Sequence, residues 1–174
     1  MSTAITVRPA VSADAEALLR IYRPFVEETA ISFEARLPTL SELEQRIVRA
    51  LDAWAWLVAE VEGRPVGYAY GSAHRPREAY RYAVETSAYV ESGFQRQGIA
   101  SALYRQLLTD LATRGYHNAY AGVTLPNNAS LGFHRHLGFE DIGVFPRVGY
   151  KFGQWHDVAW LYRPLVQASR QPDV

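Results

Sequence analysis

The sequence contains no cysteine. A disulfide scaffold, a thiolate metal site and a catalytic thiol are therefore excluded. An excess of either charge is missing too, with Lys plus Arg and Asp plus Glu at 18 each. That balance argues against binding bulk nucleic acid or an anionic membrane, while leaving room for a local basic pocket. No apolar run approaches the ~20 residues of a membrane span. The opening MSTAITVRPA lacks the basic region and apolar stretch of a signal peptide. A cytoplasmic location is the expectation. The histidines are His74, His117, His134, His136 and His156. None forms an HExxH motif, and His134 and His136 diverge on a helix, so no metal is expected.

What is present suits one globular domain. The 174 residues are enough to bury a sizeable core, and 48% of them are hydrophobic. A single domain over residues 1–166 is expected, with a frayed tail at 167–174. AITVR reads as a first strand. Ser12 is a candidate N-cap for a helix carrying Ala15, Leu18, Leu19 and Tyr22, which Pro24 should end or kink, with PFVEETA open to continuing it as a further turn. SELE (Ser41 to Glu44) reads as a capping box, with Leu43, Ile47, Leu51 and Trp54 behind it. WLVAEV, EGRP and VGYAYG form a hairpin pattern around a tight glycine turn. RYAVETSAYV is a further strand, rich in Tyr, Val and Thr. A long helix follows, with Ile99, Leu103, Leu107, Leu108 and Leu111 on one side and Gly115 as its stop. NAYAGV is a strand, and NNASLGFHRHLGF is a short helix closed by Gly138. The C-terminal segment reads as a pair of strands around a glycine-bearing loop. The order predicts an α/β (α+β) fold. Its central sheet is mixed and mostly antiparallel, with about seven strands and helices on both faces.

The stretch ESGFQRQGIASAL joins a strand to the long helix. Gly93 and Gly98 are spaced as in a P-loop, but Ile99 and Ala100 stand where Lys and Ser or Thr should follow, so an NTPase loop is excluded. GxGxxG is absent as well. What remains is a small-residue entry to a helix, where free N–H groups and the positive end of the dipole can seat a phosphate, with Arg96 beside it. A plain loop with a solvated arginine fits the same residues.

The surroundings separate these readings. QRQGIA, AYAGVTLPNNAS and HLGFED together resemble the GNAT acyl-CoA N-acetyltransferase superfamily. ISFEARLPTLSELEQRI, WLVAEVEGRPVGYAYG, REAYRYAVETSAYV and GYKFGQWHDVAWLYRPL resemble its phosphinothricin and methionine sulfoximine or sulfone acetyltransferases. The resemblance runs from about residue 5 to 165. It implies a GNAT-type fold and direct acetyl transfer from acetyl-CoA to a primary amine of a small amino acid. An ammonium must lose its proton before attack, and the developing oxyanion needs a placed donor.

In the resembling enzymes the glutamate of VETSAYV is the base candidate, here Glu85, acting through water. On its own a glutamate in a strand is more commonly solvated. Ala88, Tyr89 and Val90 would lie along the pantetheine arm, with the Val90 amide polarising the thioester carbonyl. Arg96, Gln97, Gly98, Ile99, Ala100 and Ser101 would hold the pyrophosphate, and Asn127 would meet the pantetheine as well as cap a helix. His134 stands where many family members carry a tyrosine acid. It is a candidate acid for the departing thiolate, although a lone helical histidine is more commonly structural. His156 resembles a position tied to activity, where it is a catalytic candidate that would orient the substrate or assist the base. Arg75 and Arg77 suit the anionic groups of the amino acid, with Tyr80 beside them and Phe33 and Glu34 as a far wall. The resemblance implies a homodimer, to which YKFGQWHDVAW would bring aromatic surface. Acetylation of another small amine or a peptide N-terminus, or a non-catalytic acetyl-CoA-binding module, are the alternatives.

Overall fold

Seven segments with strand propensity pair into one sheet, and four amphipathic segments cover its two faces. The computed structural model describes residues 4–167 and 170–172. Ala168, Ser169, Asp173 and Val174, in the tail expected to fray, lie outside the described residues. The strands are β1 (Ile5–Pro9), β2 (Trp56–Val61), β3 (Arg64–Ala73), β4 (Ala83–Val90), β5 (Asn118–Thr124), β6 (Glu140–Lys151) and β7 (Gln154–Pro164). The helices are α1 (Ala15–Glu27), α2 (Leu40–Ala53), α3 (Ile99–Thr113) and α4 (Asn128–His136). Sheet order is β1-β2-β3-β4-β5-β7-β6. Among the described residues only β4 and β5 run parallel; every other neighbouring pair is antiparallel. Among the described residues no helix is long and apolar enough to cross a membrane.

Two hairpins are tight because their turn residues accept positive φ. Glu62 and Gly63 (φ 52 and 75) join β2 to β3, and Phe152 and Gly153 (φ 53 and 73) join β6 to β7. Left-handed turns of this kind match the twist of the flanking strands.

Each sheet face has its own core. On one, α3 lays Ile99, Leu103, Leu107 and Leu111 over Leu57, Val66, Ala69, Val84 and Leu161. Gly67 and Gly71 permit that approach: a Cβ there would meet Ile99 at 3.1 Å and Leu111 at 3.0 Å. On the other face, Leu18 and Ile21 of α1 and Leu43 and Ile47 of α2 pack on Trp56, Val58 and Tyr68.

The helix starts differ from those read in the sequence. Ser12 opens a short 3-10 turn, and α1 begins after Asp14. The Asp14 carboxylate accepts the Val11 N–H at 2.8 Å and is gripped by Arg8 at 2.8 Å, which outcompetes a serine hydroxyl. Pro24 does not end α1, which continues to Glu27. The capping box is Thr39 with Glu42, two positions before the SELE pattern. Thr39-Leu-Ser-Glu42 fits the same motif, and its Thr39 N–H to Glu42 Oε2 bond is 2.7 Å.

Arg8 also pairs with Glu60 of β2 at 2.6 Å, so one guanidinium ties β1, β2 and the α1 start. Its hydrogen bond holds the Asp14 carboxyl below its ordinary value, against desolvation. Asp14→Asn is expected to lower unfolding free energy by about 1–3 kcal/mol near neutral pH. The carboxylate's contribution is full above its unfolded value near 3.8 and fades as pH falls through its lower native value. Urea titrations should therefore show the two proteins converging in acid.

Candidate active site

The parallel pairing of β4 and β5 lasts three rungs: Ala83 with Asn118, Val84 with Ala119, Glu85 with Tyr120. Beyond Glu85, β4 stays on β3 as far as Val90, and β5 stays on β7 as far as Thr124. The two strands diverge, and a cleft of about 490 Å³ opens between them. The Glu91 N–H donates to Val66 on the β3 side. Because successive N–H groups along a strand alternate in direction, the Val90 N–H faces the gap.

One end of the cleft is the loop before α3. Gly93, Arg96 and Gly98 all have positive φ (92, 61 and 83), and alternation of hand along a loop turns N–H groups inward as an anion cradle. Gly98 is the N-cap of α3, with no side chain capping it. The cleft is lined by Ala88, Tyr89, Val90, Arg96, Gly98, Ile99, Ala100, Ser101 and Asn127. Gln97 is not among its walls; its Nε2 donates to Gly93 O at 2.9 Å and braces the loop. Asn127 caps α4 by accepting the Ser130 N–H at 3.1 Å.

His134 and Tyr104 form the inner wall, on the α3 face. His134 is 6% exposed. Its Nδ1 lies 2.8 Å from Ser130 O, and a carbonyl can only accept, so Nδ1 carries the proton. Nε2 then accepts from the Tyr104 hydroxyl at 3.1 Å. Burial pushes the His134 imidazole down, towards the neutral form, and pushes the Tyr104 hydroxyl up.

Glu85 projects to the opposite face, since it alternates with Thr86 and shares parity with Ser87 and Tyr89. There its Oε1 meets His74 Nδ1 at 2.9 Å. Tyr80 touches the His74 ring edge-on at 5.7 Å. Arg75 and Arg77 are exposed on the loop between these two residues. The far wall is divided. Glu34 is engaged by Arg46 of α2. Phe33 lies on Gly149, where a Cβ would overlap its ring, and 6.1 Å from the His156 ring. His156 is 8% exposed and bonds Lys151 O through Nε2 at 3.0 Å. His156 lies six residues along β7 from Tyr162, the residue level with Tyr120 and Glu85. At strand rise that is on the order of 20 Å, so Glu85 and His156 are not brought together. Asp157 points away from His156 and accepts the Arg147 N–H at 2.7 Å.

Reasoning from the sequence missed three contributors. His74 follows the end of β3, and only the β3–β4 register reveals that it reaches Glu85. Tyr104 lies in the apolar stripe of α3 and reads as core. Lys151, the chain's sole lysine, donates to Val26 O and Ser32 O, both at 2.7 Å, fastening the α1–α2 loop to the β6–β7 arm. Among the described residues no group of three or more His, Asp or Glu side chains could hold a metal.

A parted parallel pair beside a phosphate-type cradle is the layout of an acyltransferase that takes a phosphate-tailed acyl donor. The acetyltransferase (GNAT) domain model matches residues 7–160, and the chain belongs to that family. It is 36% identical to the phosphinothricin N-acetyltransferase of Streptomyces viridochromogenes, over 91% of this chain and 87% of that one. It is 34% identical to the L-methionine sulfoximine/L-methionine sulfone acetyltransferase of Salmonella typhimurium, over 92% and 95%. The crystal structure of a GNAT superfamily phosphinothricin acetyltransferase from Sinorhizobium meliloti, in complex with AcCoA, superposes with a TM-score of 0.93 at 34% identity, covering 99% of this chain and 94% of that one.

The His134 network yields a spectroscopic expectation. Long-range ¹H–¹⁵N spectra should show His134 as the Nδ1-protonated neutral tautomer, still neutral somewhat below the ordinary histidine value of 6.5. Because its folded value is lowered, its contribution to stability is present above the unfolded value near 6.5 and declines as pH falls below it. A His134 signal that titrates at or above 6.5 would refute the network.

Proposed function

We propose that the chain transfers the acetyl group of acetyl-CoA to the α-amine of a phosphinothricin-, methionine sulfoximine- or methionine sulfone-like amino acid. The observation that carries this reading is the gap between β4 and β5, with the cradle and Tyr104 on one side of the sheet and Glu85 on the other. A donor and an acceptor can enter from opposite faces and meet where the strands separate. The names of the curated relatives support the acceptor class, and use of acetyl-CoA fits a cytoplasmic location.

The residues present fit the donor. The uncapped Gly98 and the first turn of α3 offer N–H groups to a pyrophosphate, with Arg96, Ile99, Ala100 and Ser101 around it. Ala88, Tyr89 and Asn127 flank the pantetheine arm, and Gln97 keeps the loop in shape. The Val90 N–H polarises the thioester carbonyl and stabilises charge developing on its oxygen. Glu85, through water, takes a proton from the acceptor's ammonium, freeing the lone pair for attack. The thiolate leaves towards Tyr104 and His134, which supply its proton. Arg75 and Arg77, beside Tyr80, bind the carboxylate and head group, while Phe33, supported by His156, stands at the opposite end of the α1 face. Glu34, neutralised by Arg46, does not repel an anionic acceptor.

Steady-state assays with phosphinothricin, methionine sulfoximine, methionine sulfone and ordinary amino acids test the acceptor class. At least one of the first three is expected to have the highest kcat/KM. A preference for another amine, or CoA binding without turnover, would overturn the reading. Glu85→Gln is expected to lower kcat by about 10²- to 10⁴-fold with little change in the KM for acetyl-CoA.

We also propose a homodimer formed through the β6–β7 arm. Strand β6 is the sheet edge, and Ile142, Val144, Phe145, Val148, Tyr150, Phe152 and Trp155 are all exposed on this arm. An edge strand with that much apolar surface is an association site. Light scattering should give twice the 19.6 kDa chain mass, with Ile142→Asp plus Val148→Asp shifting the protein towards monomer.

A further inference from the structure

We propose that His74 is the positioning residue of Glu85, selecting which carboxylate oxygen accepts the substrate proton; this rests on the reading of Glu85 as base. His74 follows directly on β3, whose last rungs pair Ala73 with Val84 and Ser72 with Glu85. That register brings the imidazole alongside the carboxylate. Nδ1 lies 2.9 Å from Glu85 Oε1, with the two side chains 15% and 31% exposed. A carboxylate only accepts, so Nδ1 carries the proton and donates. That hydrogen bond lowers the basicity of Oε1, so Oε2 is the oxygen that takes, through water, the proton that comes off the acceptor.

The imidazole is itself held on three sides. Tyr120 stacks on its face at 4.8 Å with 19° between the planes, while Tyr80 and Trp160 meet it edge-on at 5.7 and 6.0 Å. Tyr120 is the partner of Glu85 on the last rung before β4 and β5 separate. The ring therefore cannot swing without disturbing the strand that forms the other edge of the gap. A half-exposed glutamate left alone would sample several rotamers and lose side-chain entropy on every productive encounter. The His74 hydrogen bond removes that freedom in advance. Tyr80 also lies at the end of the loop that carries Arg75 and Arg77, so a group bound there adjoins the same ring.

The test uses full-length protein with acetyl-CoA and, as acceptor probes, phosphinothricin and methionine sulfone. His74→Phe keeps a ring in the aromatic cage but cannot donate. It is expected to lower kcat by about 10- to 100-fold, leaving the acetyl-CoA KM within about twofold and the thermal melt close to wild type. His74→Asn places an N–H near the position of Nδ1 and is expected to recover most of the rate. In a Glu85→Gln background His74→Phe should cost little more, because residues that act as a unit are not additive. A normal kcat in His74→Phe while Glu85→Gln is impaired overturns the His74 proposal alone. So do equal losses in the Phe and Asn variants, or fully additive losses. A normal kcat in Glu85→Gln removes the base reading instead, and His74 falls with it. If neither probe is turned over, the ¹⁵N spectrum decides: an Nδ1-protonated His74 whose signal moves in Glu85→Gln supports the pairing, and an unmoved signal overturns it.

Discussion

The structure turns on where one ladder of hydrogen bonds stops. Three parallel rungs hold β4 to β5, and the last, Glu85 with Tyr120, is followed by separation. Backbone groups left unpaired inside a protein cost free energy unless water or a ligand meets them. The chain tolerates this because each strand keeps its other neighbour, β4 on β3 and β5 on β7. Side chains hold the edges apart. Tyr89, packed on Tyr22 and Phe25, fixes the end of β4 to α1. Gly122 lets the Trp160 ring lie across β5, at 3.2 Å from where a Cβ would be.

Two electrostatic environments follow, one on each face of the opening. On the α3 face Tyr104 and His134 are enclosed with Phe133 and Phe139. Burial keeps the hydroxyl protonated and the imidazole neutral, so a proton stays available there without a fixed charge beside it. On the α1 face the carboxylate of Glu85 retains partial contact with solvent and with a histidine. Tyr104 and His134 are thus separated from Glu85 by the sheet itself. On the same face Lys151, lowered by burial, fastens the α1–α2 loop, and Gly149 admits the Phe33 ring.

Much of the fold was legible because its causes are local. Gly63 and Gly153 announce the hairpins, the apolar stripe of α3 announces its buried face, and Gly115 and Gly138 mark the helix ends. Two helix starts were misread where neighbouring residues offer the same chemistry. Ser41 and Thr39 both begin an S/T-x-x-E pattern, and Asp14 stands close to Ser12. Pro24 is tolerated because only one carbonyl of the preceding turn loses its N–H partner while the α1 stripe, Leu18, Ile21 and Val26, stays buried.

The site was legible in halves, for a physical reason. The half proposed to hold the donor is made mostly of backbone: a glycine-rich loop, a helix start and a strand edge. Such a cradle needs particular residues at fixed spacing along one segment, so it leaves a motif, and the stretch from Arg96 to Ser101 shows it. The half proposed to hold the acceptor is made of side chains from segments far apart in sequence. His74 meets Glu85 only through the β3–β4 register, and Phe33 meets His156 only where the α1–α2 loop reaches the β6–β7 strands. Those pairings depend on bulges, turns and helix packing whose energies are each small, so no short pattern encodes them. The same division explains how one donor site can serve relatives with different acceptor names. Changing the backbone cradle disturbs the first helix turn after β4, while changing a side chain on the acceptor face alters only what can lie against Glu85.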